Sequence, residues 1–231
     1  MENLFSWQRL IADIPKMIPY LSVTFEMVLI STIFGSLLGL IVAFINIKKT
    51  PILHYINKIY ISFMRGTPIL VQLYLVLYGL PILIQPLIGG NIGREWDRII
   101  FASIAFVLNM GAFFSVIFQS GIQAVNSGQL EAGLSVGLTE VQCFKRIILP
   151  QAIRVIIPPY GTAVVYLFQG TAIAFTVGVV DFMGRAKTIG SASGHVLEAY
   201  LLVVGVYIIM SFLIRVLFSK LENNVVYKAG E

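Results

Sequence analysis

The strongest constraint on the fold is that four long stretches of the chain contain no Asp, Glu, Lys or Arg. They extend over Met27–Ile47, Gly66–Gly93, Ile99–Leu130 and Val155–Val180. A helix needs about 20 apolar residues to cross a hydrocarbon core of roughly 30 Å. Each stretch is therefore long enough to span a membrane. Helices are required there because unpaired strands would leave backbone polar groups unsatisfied in lipid.

A fifth apolar stretch, Ala199–Ile214, is shorter than the other four. It reaches the required length when Arg215 extends its guanidinium toward the lipid headgroups and Val216–Phe218 continue the apolar face. The composition agrees, since 58% hydrophobic and 12% charged residues leave too few polar groups to cover a water-soluble surface at 231 residues. The sequence therefore predicts an all-α integral membrane protein with five transmembrane helices, formed as a single domain over residues 1–231.

Residues 1–20 are predicted to form an outer interfacial segment. Asp13, Pro15, Lys16 and Pro19 interrupt any apolar core that a cleavable signal peptide needs. The apolar residues between them favour a short amphipathic helix lying on the membrane surface. A loosely ordered leader is the alternative.

The distribution of basic residues predicts how the chain is threaded, because Lys and Arg favour the cytoplasmic side of short loops. An outside N-terminus places ten of the 16 basic residues in the cytoplasm and six outside. The N-terminus is therefore predicted to be outside and the C-terminus in the cytoplasm. The net charge of +5 is then carried mainly by cytoplasmic loops, and no nucleic-acid partner is expected.

A polar, charged segment at 125–153 separates the third and fourth apolar stretches. Ser127–Gln129 is expected to break the preceding helix, and Thr139 is suited to cap a second short helix. Three leucines before the cap fall on one helical face: Leu130, Leu134 and Leu138. Pro150 is expected to end the second helix before the next span. Two short helices at an angle form a projection that a groove on a soluble partner can bind.

Several kinds of chemistry are excluded or disfavoured. One cysteine, Cys143, excludes an intrachain disulfide and a multi-cysteine metal cluster, and this thiol is expected to be accessible from the cytoplasm. His54 and His195 fall on opposite sides of the membrane in the predicted topology, so no metal site is expected. No Gly-Lys dipeptide occurs, which excludes a Walker A loop.

Within the 125–153 segment, Glu131-Ala132-Gly133, Gly137 and Leu149-Pro150 closely resemble the cytoplasmic coupling loop of ABC importer permeases. The pattern of that family is Glu-Ala-Ala, a Gly four residues after the last Ala, and a Leu-Pro pair further on. Gly133 stands here in place of the last Ala. The resemblance implies type I ABC importer permease architecture. It also implies that this projection sits in a cleft of the partner ATPase, with the Glu131 carboxylate and the turn at Gly137 fixing its geometry. The implied ATPase-coupling residues are Glu131, Ala132, Gly133, Gly137, Leu149 and Pro150.

Further motifs resemble the branch of these permeases that imports polar amino acids such as histidine, glutamate, glutamine, arginine and opines, and most of all its cystine-importing members. They are Thr24-Phe25-Glu26, Arg65-Gly66-Thr67-Pro68 with Gln72, and Val179–Ala186. The third span departs from the branch, because Val116 and Gln119 occupy the positions of its usual Glu and Arg. This departure fits either a buried ion pair replaced by neutral residues or one chain of a heterodimer.

The resemblance implies a transmembrane subunit of an ATP-driven amino acid importer in a prokaryotic cell (inner) membrane. The implied partners are a second permease chain, two ATP-binding subunits and an extracellular or periplasmic amino acid binding protein. The chain itself is then not an enzyme and binds no cofactor, since ATP and Mg belong to the partner ATPase. The alternative is a secondary transporter or channel subunit driven by an ion gradient, which typically shows repeated halves or several embedded ionisable groups.

Polar groups within the spans are costly in lipid and usually face a bundle interior or a pathway. The candidates for a substrate path are Glu26, Gln72, Asn109, Gln169 and Thr171. Glu26 is interpreted as the only acid near a helix core. It is expected either to pair with the ammonium group of an amino acid or to serve a structural role at the headgroup level. In the first span, Gly35 and Gly39 provide a small-residue face for close helix packing.

Overall fold

The computed structural model describes residues 5–89 and 92–227, and within these ranges the chain is almost entirely helical, without strands. The helices are α1 (Trp7–Met17), α2 (Leu21–Lys48), α3 (Leu53–Gly66), α4 (Ile69–Tyr74), α5 (Leu80–Ile88), α6 (Ile92–Glu95), α7 (Arg98–Gln123), α8 (Gly128–Ser135), α9 (Glu140–Cys143), α10 (Leu149–Gly170), α11 (Phe182–Ser193) and α12 (Val196–Tyr227). Wider π turns join α4 to α5 and α9 to α10.

Among the described residues, five helical segments are long and apolar enough to cross a membrane, which agrees with the predicted number. They are Trp7–Lys48, Ile69–Leu87, Arg98–Gln123, Glu140–Val177 and Val196–Asn223. The fifth span is longer than the predicted apolar stretch, because α12 continues well beyond Arg215 to Tyr227. Residues 1–4 of the predicted interfacial segment lie outside the described part of the chain.

The close packing of α2 against α7 forms the centre of the fold. Glycines make this approach possible. A Cβ atom added at Gly39 would lie 2.9 Å from the Cβ of Phe114 and 3.0 Å from the backbone nitrogen of Ser115. One added at Gly111 would lie 2.7 Å from the Cδ2 of Leu38. The predicted small-residue face on the first span is therefore confirmed as a helix contact.

The remaining long helices pack around this pair. Helix α10 contacts both α7 and α12, and α11 lies along α12. Phe101, Phe114 and Phe168 are fully buried in the shared core. A second, smaller core around Met17 and Phe182 joins α1 to α11 and α12. The short helices α1 and α11 are thereby fixed to the bundle.

The predicted amphipathic helix near the N-terminus is present as α1. Ser6 caps it, since its hydroxyl oxygen accepts a hydrogen bond from the backbone N–H of Arg9. Asp13 is buried and pairs with Lys16 at 2.7 Å. Trp7 and Ile11 point outward, as expected for a helix that lies on the membrane surface.

Helix α3 is an element that the apolar pattern does not predict, because Lys58 and Arg65 interrupt its sequence. It is held by polar contacts to two spans. The Tyr60 hydroxyl donates to the carbonyl oxygen of Leu108 on α7 at 2.5 Å, and the Asn57 amide donates to Asn46 on α2 at 3.4 Å. The connection between the first two spans is therefore a helix.

The prediction that Pro150 ends the second short helix is wrong. The chain is helical without interruption from Glu140 to Gly170, and Pro150 lies in the first turn of α10. The preceding π turn, Phe144–Ile148, shifts the backbone hydrogen bonds by one residue, so the N–H of Leu149 bonds to the carbonyl of Phe144. Pro150 lies just after this π turn, where the regular pattern of backbone bonds is already displaced, so its missing N–H does not interrupt the helix.

Candidate functional site

The projection between α7 and α10, residues 125–153, is called the knob below. Its sharpest turn is at Gly137, whose φ of +86° is unfavourable for residues with a side chain. The N–H of Gly137 bonds to the carbonyl of Leu134 at 3.0 Å, and that of Leu138 bonds to the carbonyl of Gly133 at 3.1 Å. This pair of bonds is the Schellman motif that ends a helix at a left-handed glycine. Leu138 consequently lies beyond α8, which ends at Ser135.

The second helix of the knob begins at a capping box. The N–H of Gln142 bonds to the Thr139 hydroxyl oxygen at 3.3 Å, and the N–H of Thr139 bonds to the Gln142 amide oxygen at 2.9 Å. The predicted cap at Thr139 is confirmed. The role of Gln142 was not predicted, although a Thr followed three residues later by Gln is a recognisable signal.

The two helices of the knob touch where Gly133 faces Cys143. An added Cβ at Gly133 would lie 2.6 Å from the Cys143 sulfur and 3.0 Å from the Cδ1 of Ile147. Cys143 is fully buried, so the expectation of an accessible thiol is wrong. The thiol fills space that a residue larger than glycine at position 133 would need. Where the pattern described above has alanine, the glycine at position 133 leaves the space that the Cys143 thiol occupies.

The buried position of Cys143 leads to a labelling prediction. A membrane-impermeant maleimide should react poorly with the native chain from either side of the membrane. After moving the thiol to a neighbouring exposed position with Cys143→Ala and Val141→Cys, the reagent should react quickly in inside-out vesicles from cells that express the chain without its partner subunits, and not in intact cells. Rapid labelling of native Cys143 would contradict the buried position, and labelling of the relocated thiol from outside would invert the topology.

The outer surface of the knob combines exposed apolar and charged groups. Val136 and Val141 are 77% and 62% exposed, and Leu134 is exposed beside them. Glu131 lies in the first turn of α8, where a carboxylate suits the helix dipole. Its carboxylate is exposed and makes no hydrogen bond to the described residues, which corrects the expectation that it fixes the knob internally. The carboxylate is thus available to a partner.

The remaining coupling candidates lie around this surface. Ala132 and Pro150 are exposed, whereas Leu149 is half-buried at the start of α10. The ring of Phe144 contacts that of Phe44 on α2, with centroids 5.8 Å apart. At the base, the site of a Cβ on Gly121 is already occupied by Ile156 of α10. The knob is therefore joined tightly to the spans.

Two of the predicted path residues, Gln72 and Asn109, form one hydrogen-bonded unit. The Asn109 amide donates to the Gln72 amide oxygen at 2.9 Å and to the Met64 carbonyl at 3.2 Å. The Gln72 amide donates to the carbonyls of Met64 and Thr67 and to the Thr67 hydroxyl, at 2.9, 3.1 and 2.8 Å. Both side chains are buried. These bonds hold the turn between α3 and α4 against α7.

A cavity of about 250 Å³ lies beside Asn109, between α4, α7 and α10. Its walls are mainly apolar, with the Asn109 amide and the Tyr166 ring as its polar elements. The lining residues are Ile69, Phe106, Asn109, Met110, Phe113, Ala163, Tyr166, Leu167 and Gly170. An apolar cavity with few polar groups is typical of small-molecule sites.

The other path candidates lie elsewhere. The Gln169 amide donates to the Ser211 hydroxyl at 3.2 Å in a groove between α10 and α12. Thr171 is fully buried and donates to the Phe168 carbonyl at 2.7 Å. Glu26 is exposed in a third, apolar groove between α2 and α7. The five candidates therefore do not form one site.

Glu26 is also not the only acid near a helix core, because Asp181 and Glu198 are fully buried. Asp181 caps α11 by accepting from the N–H of Gly184 at 2.8 Å and from the Thr24 hydroxyl at 3.4 Å. Burial raises the pKa of Asp181, while these hydrogen bonds oppose the shift. Glu198 accepts from the N–H of Ser6 at 2.8 Å and lies 2.8 Å from the His195 ring nitrogen. These acids anchor the N-terminal ends of α11 and α12.

In the part of the chain that the structure describes, five apolar spans with a structured polar knob between the third and fourth define an integral membrane protein that exposes a folded polar projection. Residues 35–226 match the family described as binding-protein-dependent transport system inner membrane component. The chain belongs to this family of ABC importer permeases. Membership favours an importer subunit over the alternative of an ion-gradient-driven transporter or channel.

Relatives extend over nearly the whole chain. A probable amino-acid permease protein of Bacillus subtilis, YxeN, is 39% identical, with 96% of each chain covered. The L-cystine transport system permease protein TcyL of the same organism is 36% identical over 97% of this chain and 93% of its own. A chain from the crystal structure of an amino acid ABC transporter with histidines superposes with a TM-score of 0.84 at 28% identity, covering 95% of this chain and 99% of that chain.

Proposed function

We propose that the chain forms the translocation path of an ATP-driven importer for polar amino acids and receives the motion of the ATPase through the knob. The knob carries this proposal. Its internal bonds make it rigid, while Val136, Val141 and the Glu131 carboxylate remain exposed for a partner. Exposed apolar side chains next to charges are typical of protein interaction surfaces.

The proposed complex contains two permease chains, two ATP-binding subunits and an external amino acid binding protein. ATP and Mg would be bound by the ATPase subunits. The N-terminus is placed outside and the C-terminus in the cytoplasm, so the knob faces the ATPase. ATP shifts the permease between outward- and inward-open arrangements only if the ATPase dimer binds these arrangements with different affinity.

An amino acid is the proposed cargo, since the relatives named above include amino acid and cystine permeases. The cavity beside Asn109 is the proposed point of passage through this chain. Its volume of about 250 Å³ is slightly below the range of roughly 300–1,000 Å³ that is typical of small-molecule sites. Gln72 positions Asn109, whereas Gln169 and Thr171 support α10 and the turn that follows it.

The composition of the complex tests this function most directly. The tagged chain, purified from native membranes in mild detergent, should bring with it an ATPase, and mass spectrometry should identify that subunit. The reconstituted complex should hydrolyse ATP faster when a binding protein loaded with an amino acid is added. Recovery of the intact chain without any ATPase, under conditions that preserve other membrane complexes, would count against the proposal.

Glu26 is proposed to attract the ammonium group of the amino acid at the outer side, because it lies in the second turn of α2 and faces an open groove. Glu26→Gln keeps the size and removes the charge. Uptake should fall by about fivefold, which corresponds to roughly 1 kcal/mol for an exposed ion pair. The measurement is the initial rate of radiolabelled amino acid uptake at equal amounts of chain in the membrane.

Glu222→Gln is the matched control, because it also replaces one carboxylate by an amide. Glu222 lies near the C-terminal end of α12, on the opposite side of the bundle from Glu26. This variant should transport at the native rate. Equal uptake by Glu26→Gln would remove Glu26 from the proposed path. Loss of the folded chain during purification would assign it a structural role instead.

A further inference from the structure

A groove of about 460 Å³ lies on the surface between α10 and α12 and contains the guanidinium-bearing side chain of Arg215. The other lining residues are Gln169, Val204, Tyr207, Ile208, Ser211 and Phe212. This groove is separate from the cavity beside Asn109, which lies on the α7 side of α10. Neither the knob nor the proposed passage uses it.

The lining of the groove changes in polarity along α12. Val204, Ile208 and Phe212 are exposed apolar residues on one face of the helix, and Arg215 follows them on the same face. At about 1.5 Å per residue, the distance from Val204 to Arg215 is about 16 Å, which is half of a hydrocarbon core of roughly 30 Å. The groove therefore has the length and the polarity of one lipid leaflet.

Arg215 has no acidic partner in the described part of the chain. The ion pairs Lys16–Asp13 and His195–Glu198 lie elsewhere, and no acid lines the groove. Gln169 and Ser211 bond to each other beside it. An exposed guanidinium at the edge of an apolar region has five N–H donors to satisfy, and a phosphate accepts two of them at once.

We propose that this groove binds an anionic phospholipid of the cytoplasmic leaflet. The phosphate lies against Arg215, and an acyl chain lies along Phe212, Ile208 and Val204 toward the middle of the membrane. The assignment to the cytoplasmic leaflet rests on the proposed orientation of the chain. A cation between helices on the cytoplasmic side is the arrangement that recognises anionic headgroups.

Native mass spectrometry of the purified full chain, titrated with phosphatidylglycerol or phosphatidylcholine, tests the proposal. The native chain should retain phosphatidylglycerol in preference to phosphatidylcholine. Arg215→Gln should lower the retention of phosphatidylglycerol about tenfold, as expected for the loss of a charge-assisted hydrogen bond. Lys220→Gln removes an exposed cation of α12 that does not line the groove, so retention should stay within about twofold of the native value.

A second variant tests the groove itself with the charge intact. Ile208→Trp fills the space along α12 and should also lower the retention of phosphatidylglycerol. Native retention in both Arg215→Gln and Ile208→Trp would overturn the proposal. Displacement of the lipid by inorganic phosphate or by an amino acid would reassign the guanidinium to a soluble anion and would likewise overturn it. Because these measurements need neither ATPase nor transport, they fail independently of the proposed importer function.

Discussion

Replacement of Gly137 by valine is expected to reduce uptake to below about a tenth of the native rate. Glycine readily adopts the φ of +86° found at this residue. A residue with a side chain is destabilised in this conformation by about 1–2 kcal/mol, and by more when the side chain is β-branched. The valine variant must therefore give up the Schellman bonds that hold α8 to the turn. The measurement is amino acid uptake by membrane vesicles, with the amount of inserted chain determined in parallel.

Gly137→Asn is the matched control for backbone conformation, because asparagine tolerates the left-handed region better than other residues. It should keep most of the uptake. Gly137→Val should still insert in the membrane, since the five spans do not depend on this turn. Normal uptake by Gly137→Val would show that the turn has no part in coupling.

The second large effect is expected at Gly39, where α2 and α7 are in closest contact. A side chain there meets the Phe114 Cβ and the backbone of Ser115 and Gly111, all within about 3.1 Å. Backbone atoms cannot move away by a change of rotamer, as a flexible side chain can. Gly39→Leu must therefore push α2 and α7 apart. The expected loss is about 3 kcal/mol, at the upper end of overpacking effects, with a large drop in the yield of folded chain.

Gly205→Leu controls for adding a leucine to a span. Gly205 is exposed on α12, and an added Cβ meets no atom within 4 Å. Thermal unfolding in detergent, followed by tryptophan fluorescence or by size-exclusion chromatography after heating, should show a lower midpoint for Gly39→Leu and a native midpoint for Gly205→Leu. Equal midpoints would mean that α2 and α7 do not pack as described.

The number of spans and the turn between the two knob helices were predictable because each depends on local sequence. Uninterrupted apolar length determines a span, and Thr139 and Gly137 satisfy backbone groups within a few residues of their own position. The small-residue face of the first span was also evident, since Gly35 and Gly39 lie one turn apart on one face. These features need no knowledge of which helix lies next to which.

Local sequence does not predict which polar side chains of the spans lie next to each other. A helix that is apolar on all sides gives no periodic signal for the direction in which each residue points. Asn109 and Gln72 meet, while Gln169 faces α12 and Glu26 faces an open groove, and only the packing of the spans decides between these outcomes. Burial of Cys143 likewise follows from the contact with Gly133 across the knob, which residue type alone does not reveal.

The uninterrupted helix from Glu140 to Gly170 has a mechanical consequence. At about 1.5 Å per residue it is a rod of roughly 45 Å, and the cavity residues Ala163, Tyr166, Leu167 and Gly170 lie on its far part. A tilt of about 5° about the knob end of a helix of this length displaces the other end by about 4 Å. The knob and the cavity wall thus belong to one continuous helix, so a small rotation imposed at the knob changes the width of the cavity. The π turn at Phe144–Ile148 and the pair Pro158-Pro159 are the places where this helix bends most easily.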